Sequence, residues 1–213
     1  MKTFVLIAAS LATLLPTQAF AQDQARSTGL KKESITFPLT VATGAKGCLP
    51  NAQGTVTDIS LGPVESLTVV VQGLPPNTAF DLFNIEVPNA PFGLAWYLGD
   101  IETNTKGKGV GHFIGRFNIE TFIISPGVPL LPDGKPPQVF SKPPAVVAEA
   151  TVGIQTDPVQ IYHLGLWFNS ADDALKAGCT PTHTPFNGEH NAGIQVLNTA
   201  TFPQNAGPLI NLK

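Results

Sequence analysis

Two of the four histidines of this 213-residue chain, His183 and His190, stand seven positions apart, with Glu189 beside the second. Neutral imidazoles with a carboxylate are ligands for zinc or copper, and a loop can bring them together at this spacing. Tyr162-His163, on a strand before them, adds a third imidazole, so the metal set would be His163, His183 and His190. The spacing His-x6-His matches no established ligand pattern. The plainer expectation is a loop without cofactor, turning at Asn187-Gly188, in which Glu189 and His190 bond the backbone. Read that way, His183, Asn187, Glu189 and His190 are ligand-binding positions on a polar loop, with Trp96 and Tyr97 as a second choice.

Other chemistry is harder to assemble. The chain has no G-x-S-x-G, G-x-x-x-x-G-K-[ST], H-E-x-x-H or C-x-x-C motif. No catalytic residue is therefore assigned. Glycoside hydrolysis needs two carboxylates about 5 to 9.5 Å apart, and Asp81, Glu86, Asp100, Glu102, Glu120 and Glu189 are the acids available. Asp172 and Asp173 have a simpler role at a helix start. Strand alternation places His163 on a face with Ile161 and Trp167, as a partly buried structural histidine. His112, between Val110 and Ile114, reads as structural or surface. Phe92, Trp96, Tyr97, Trp167 and Phe186 could offer a carbohydrate or peptide platform, although most aromatics of such a domain belong to its core.

The elements that position these residues follow from composition. With 20 Gly and 20 Pro the chain cannot sustain long helices, and with 43% hydrophobic residues it can bury a core. A net charge of −3 without a basic cluster argues against a nucleic-acid partner. Lys2, the apolar run Phe4 to Leu15, Pro16 and Ala19-Phe20-Ala21 form a secretory leader cut after Ala21. The run is too short for a membrane anchor, which needs about 18 apolar residues or more, and no later segment crosses a bilayer. The expected product is secreted or periplasmic, with one domain over 22–213. In that compartment Cys48 and Cys179 should form a disulfide, closing a loop of about 130 residues and adding roughly 4–5 kcal/mol through lost chain entropy. Free or metal-bound thiols are the competing reading.

Strands are expected at Ile35–Val41, Ser66–Val71, Phe80–Ile85, Leu94–Glu102, Val110–Ile119, Val146–Ile154, Val159–Phe168 and Ala192–Ala200. The fourth and fifth should pair as a hairpin around Thr103–Gly109. Phe80, Leu82 and Asn84 alternate with Asp81, Phe83 and Ile85, so that strand should be buried on both faces. Ser170-Ala171-Asp172-Asp173, followed by Gly178, predicts one short capped helix. Ser125–Glu149, with seven prolines, is a crossover loop or a pre-stiffened binding loop. The fold class is all-β, an antiparallel two-sheet sandwich. So many prolines would interrupt the ladders of an outer-membrane barrel.

Leu74-Pro75-Pro76-Asn77-Thr78-Ala79-Phe80 resembles the corner of fibronectin type III and other immunoglobulin-like domains, where an apolar strand ends in Leu-x-Pro-x-Thr-x-Tyr. The resemblance implies an immunoglobulin-like arrangement. Phe80 lacks the hydroxyl, so only the packing role of that tyrosine carries over. Val87-Pro88-Asn89-Ala90-Pro91-Phe92-Gly93 with Trp96-Tyr97-Leu98-Gly99-Asp100 resembles segments of exported, uncharacterised microbial proteins, which implies no activity. The function expected is a non-enzymatic exported module that binds a protein or carbohydrate, or displays one, through loops. The alternatives are a metal-dependent or hydrolytic enzyme using His163, His183, Glu189 and His190, and a structural envelope or matrix component.

Overall fold

The computed structural model describes residues 33–118, 121–123, 158–184, 192–204 and 206–212, with 121–123 and 158–160 as backbone alone. The leader, the proline-rich stretch, the strand expected at 146–154, and Asn187, Glu189 and His190 lie outside the described residues.

The fold is mostly antiparallel β with one helix. Among the described residues ten strands follow in order: β1 (Ser34–Val41), β2 (Gln53–Ser60), β3 (Glu65–Gln72), β4 (Ala79–Ile85), β5 (Ala95–Glu102), β6 (Gly109–Gly115), β7 (Thr121–Ile123), β8 (Pro158–Gln160), β9 (His163–Phe168) and β10 (Gln195–Asn198). The helix α1 (Ala171–Lys176) lies between β9 and β10. Eight strands make one sheet in the order β5-β4-β9-β10-β1-β2-β3-β6, while β7 and β8 pair separately.

That sheet curls until its edges meet, so it is a nearly closed barrel and not two clearly separate sheets. Two features produce the curl. Residues Ser34–Leu39 of β1 pair with β2, whereas Thr40 and Val41 pair with β10. Pro38, with no N–H to donate, precedes the changeover, and a strand that switches partners makes a corner. At the other seam, β5 and β6 touch through the bridge Thr103–Gly109. Phe113 fills the gap beyond it, its ring so close to Gly99 that a Cβ there would lie 2.9 Å away.

The expected hairpin is therefore paired only at its loop. β5 registers along β4 from Ala79–Glu102 to Ile85–Ala95, and β6 along β3 from Glu65–Gly115 to Val71–Gly109. Longer ladders elsewhere outcompete the local pairing. The strand expected over Val159–Phe168 breaks at Ile161-Tyr162, where the chain leaves β7 for β4 and β10.

The interior is apolar along most of its length: Val56, Leu67, Val69 and Val71 face Phe80, Leu82, Leu164, Leu166 and Phe168. Phe80 packs on Phe168 with ring centroids 5.0 Å apart. The turn before β4 is held by Thr103, whose Oγ1 donates to the Pro75 carbonyl (2.6 Å) and accepts the Thr78 amide (3.0 Å). As the alternation predicts, β4 is buried on both faces: outside the barrel, Phe83, Ile85 and Trp167 form a second small core beneath Phe92.

Candidate functional site

The helix α1 is built as its sequence requires. Ser170 Oγ accepts the Asp173 amide (3.1 Å) and donates to its carboxylate (2.7 Å). That bond and Lys176 hold the Asp173 carboxyl below its ordinary range. At the C-terminus Gly178 takes a left-handed φ of 77°. The amides of Gly178 and Cys179 then close on the carbonyls of Leu175 and Ala174. Cys179 is bonded to Cys48, with Cα atoms 5.2 Å apart. The disulfide thus ties the end of α1 to the 3-10 turn Thr43–Ala45 that follows β1.

Between these pinned segments opens a cleft of about 820 Å³, within the size range of small-ligand sites. Ala42–Gly44 form one wall, Thr180 and Thr182–Thr184 a second, Asn89–Gly93 a third, with Ile194 and Gln195 at the base. The third wall is a tight turn. Phe92 bonds back through its amide to Asn89 O (2.9 Å), and its carbonyl accepts the Val87 amide (3.1 Å). Phe92 holds a positive φ of 59°, a left-handed conformation that costs a non-glycine residue about 1–2 kcal/mol. Its ring stands edge-on to the buried Trp167 at 5.0 Å, which fixes it there. The base is fixed too: Gln195 donates to Pro88 O (3.1 Å), and Thr184 Oγ1 donates to Gly193 O (2.8 Å). Thr43, Thr180, Thr182 and His183 stay exposed to solvent.

His183 is the only titratable group among the described lining residues. Among its described lining residues the cleft therefore has no carboxylate, lysine or arginine. Its described lining offers hydroxyls, amides and one aromatic side chain. A family scan and searches of curated proteins and solved structures returned no match to this chain.

The remaining sequence-derived positions fall elsewhere. His163 is fully buried at the start of β9, whereas His183 lies beyond its other end, past α1. His163 Nε2 faces the carbonyls of Pro203 (3.2 Å) and Gln204 (3.1 Å), and Nδ1 meets Thr199 Oγ1 at 2.7 Å. Carbonyls only accept, so Nε2 carries a proton and Nδ1 accepts the threonine hydroxyl. Burial pushes this imidazole below its usual pKa. Both nitrogens are thereby engaged, and the fold does not bring His163 and His183 together. Among the described residues no three His, Cys, Asp or Glu side chains cluster as metal ligands.

Trp96 and Tyr97 lie on the edge strand β5, outside the cleft lining. Tyr97 packs on Phe83 (5.4 Å) and donates to Asp100 Oδ1 at 2.6 Å. Burial, with Asp100 and Asp81, raises its pKa above the ordinary phenol range. Two of the candidate carboxylates do meet: Asp81 and Asp100 are direct cross-strand partners, the first fully buried and the second exposed. His112 accepts or donates one bond on the outer face, with Thr68 Oγ1 at 3.1 Å. Sequence reasoning missed the Ala42–Gly44 wall and Gln195, whose residue types carry no signal until the loops are folded.

Proposed function

We propose that the protein is a non-enzymatic extracellular binding module whose cleft takes a neutral, hydroxyl-rich ligand, an oligosaccharide segment. The uncharged lining carries this reading. Thr43, Thr180, Thr182, Asn89 and Gln195 match a ligand rich in hydroxyls, and Phe92 offers a flat apolar wall. A cleft held by a disulfide, a capped helix and a stacked aromatic loses little entropy on binding. Local backbone strain of the kind at Phe92 concentrates at ligand sites. The proposal requires no zinc or copper.

Export belongs to the same proposal, with a leader over 1–21 and a single domain over 22–213. Its support is the disulfide, which persists in oxidising compartments. Among the described residues no helix is long and apolar enough to cross a membrane. The immunoglobulin-like sandwich also belongs here: β1 joins four strands on one side (β5, β4, β9, β10) to three on the other (β2, β3, β6), and the Thr103-anchored corner supports the likeness.

Calorimetric titration with neutral cello-, malto- and chito-oligosaccharides tests the ligand class. One site per chain, weakened at least tenfold by Thr182→Val with His183→Ala, is expected. Binding of extended peptides alone, or of charged glycans alone, would overturn it.

A second reading has one observation in its favour. The Asp81–Asp100 pairing is the carboxylate juxtaposition that a hydrolase needs. Against it, Asp81 is fully buried. Glycosidase activity abolished by Asp100→Asn would establish the enzyme.

A further inference from the structure

The far end of the barrel holds buried polar groups that the cleft does not use. Asp58 on β2 and Glu65 on β3 point inward, in line with the apolar Val56 on one strand and Leu67 on the other. From the opposite wall Asn84 on β4 also points inward, in line with Phe80 and Leu82. Asn118 follows β6 and is buried beside them, linked to Glu65 and, through its neighbour Phe117, to Asn84.

The donors of this group are already assigned. Glu65 Oε2 accepts the amides of Phe117 and Asn118, the latter at 3.0 Å. Asn118 Nδ2 donates to Leu212 O (2.6 Å), and Asn84 Nδ2 to Phe117 O (3.4 Å). Those carbonyls fix both amide orientations, since the reverse flip would set oxygen against oxygen. Four oxygens are buried without a well-formed hydrogen bond, Asp58 Oδ1 and Oδ2, Asn84 Oδ1 and Asn118 Oδ1, the Ile59 amide being the one backbone group that reaches toward the Asp58 carboxylate. Arg116, two residues before Asn118, donates Nη1 to Pro63 O at 2.7 Å, while its Nε is buried without a partner.

An unpaired buried charge costs several kcal/mol, and native proteins satisfy such groups. The unpartnered side-chain atoms of Asp58, Asn84 and Asn118 are all oxygens, and Asp58 and Glu65 supply two carboxylates. That is the donor set of a hard divalent cation. Calcium accepts mixed carboxylate and amide oxygens in irregular geometry, whereas magnesium demands a near-ideal octahedron.

We propose that Asp58, Glu65, Asn84 and Asn118 form a calcium site inside the closed end of the barrel. The ion would join β2, β3 and β4 to the segment after β6, and through Asn118 to the chain's last turn. It would stabilise the fold and take no part in the cleft.

The test is calcium chloride added to chelator-treated full-length processed protein at pH 7.5, read by thermal midpoint and by bound metal per chain. One equivalent of calcium and an upward shift of about 5 °C or more at saturating calcium are expected. Asp58→Asn, which keeps the shape and removes one charge, should weaken binding at least tenfold while remaining folded by circular dichroism. His183→Ala, at the other end, should leave the calcium response unchanged. No shift in the wild type, a larger response to magnesium, or an undiminished response in Asp58→Asn would overturn the site.

Discussion

The two ends of the barrel solve opposite problems. At the cleft end the chain leaves the sheet in loops, exposes hydroxyls and one imidazole, and carries no fixed charge among its described lining residues. At the closed end two carboxylates and two amides sit inside the barrel, buried as deeply as the leucines around them. Rigidity at the first end is covalent and local, from the disulfide, the helix caps and the Phe92–Trp167 contact. At the second it depends on satisfying charge. The contrast teaches that polar residues need not mark the binding face of a β domain: here the exposed neutral ones line the cleft and the charged ones are internal.

The largest expected effect is at the cleft end. Replacing Cys48 and Cys179 by serine should cost about 4–5 kcal/mol in denaturant unfolding, because a 131-residue separation is no longer closed. A loss below 1 kcal/mol would mean that the cleft walls hold each other without the bond. Next comes the closed end. Glu65→Leu strands the Phe117 and Asn118 amides, and about 3 kcal/mol should be lost in chelator. If the same change were neutral, the closed end would not depend on its charges.

These two ends were not equally legible in the sequence. The double burial of β4, the capped helix and the disulfide partners follow from alternation, an S-x-x-D box and two cysteines in a chain whose first residues read as a secretory leader. β2 was hidden because Asp58 occupies a core position in the run Gly54, Val56, Asp58, and a charged residue there disguises the period of two. The residue that conceals the strand is the residue the calcium site needs. Asn84 was visible on the apolar face with Phe80 and Leu82, yet only the register of β4 against β9 and the bond to Phe117 O give it a partner. The pairing of β5 and β6 was misread because a polar glycine loop signals proximity, not how far a ladder extends. The cleft has no linear signature, since three loops far apart in sequence contribute threonines and backbone.

Smaller effects sharpen the comparison. His163 titrates below its ordinary value, so the unfolded chain binds its proton first on acidification. The His163 contribution to stability should be full above about pH 6.5 and should fall as pH drops below it, with a slope of at most about 1.4 kcal/mol per pH unit, whereas the raised Asp58 carboxyl costs stability as pH rises toward about 7. His163→Gln should remove that component of the slope in pH-dependent unfolding, and an unchanged profile would place the titration elsewhere. Ser170→Ala should cost about 1 kcal/mol by removing the cap of α1. It should weaken the cleft more than the calcium response, and equal losses at both ends would show them coupled. Thr182→Val with His183→Ala should change stability by less than about 0.5 kcal/mol, both residues being exposed.

That last pair supplies the most direct measurement of whether the neutral cleft is the functional face. Titration of wild type and Thr182→Val/His183→Ala with a neutral oligosaccharide that the wild type binds should give one site per chain in the first. At an unchanged unfolding midpoint, the double variant should bind at least tenfold more weakly. Equal affinity in the two proteins would place binding somewhere other than the cleft and contradict the account.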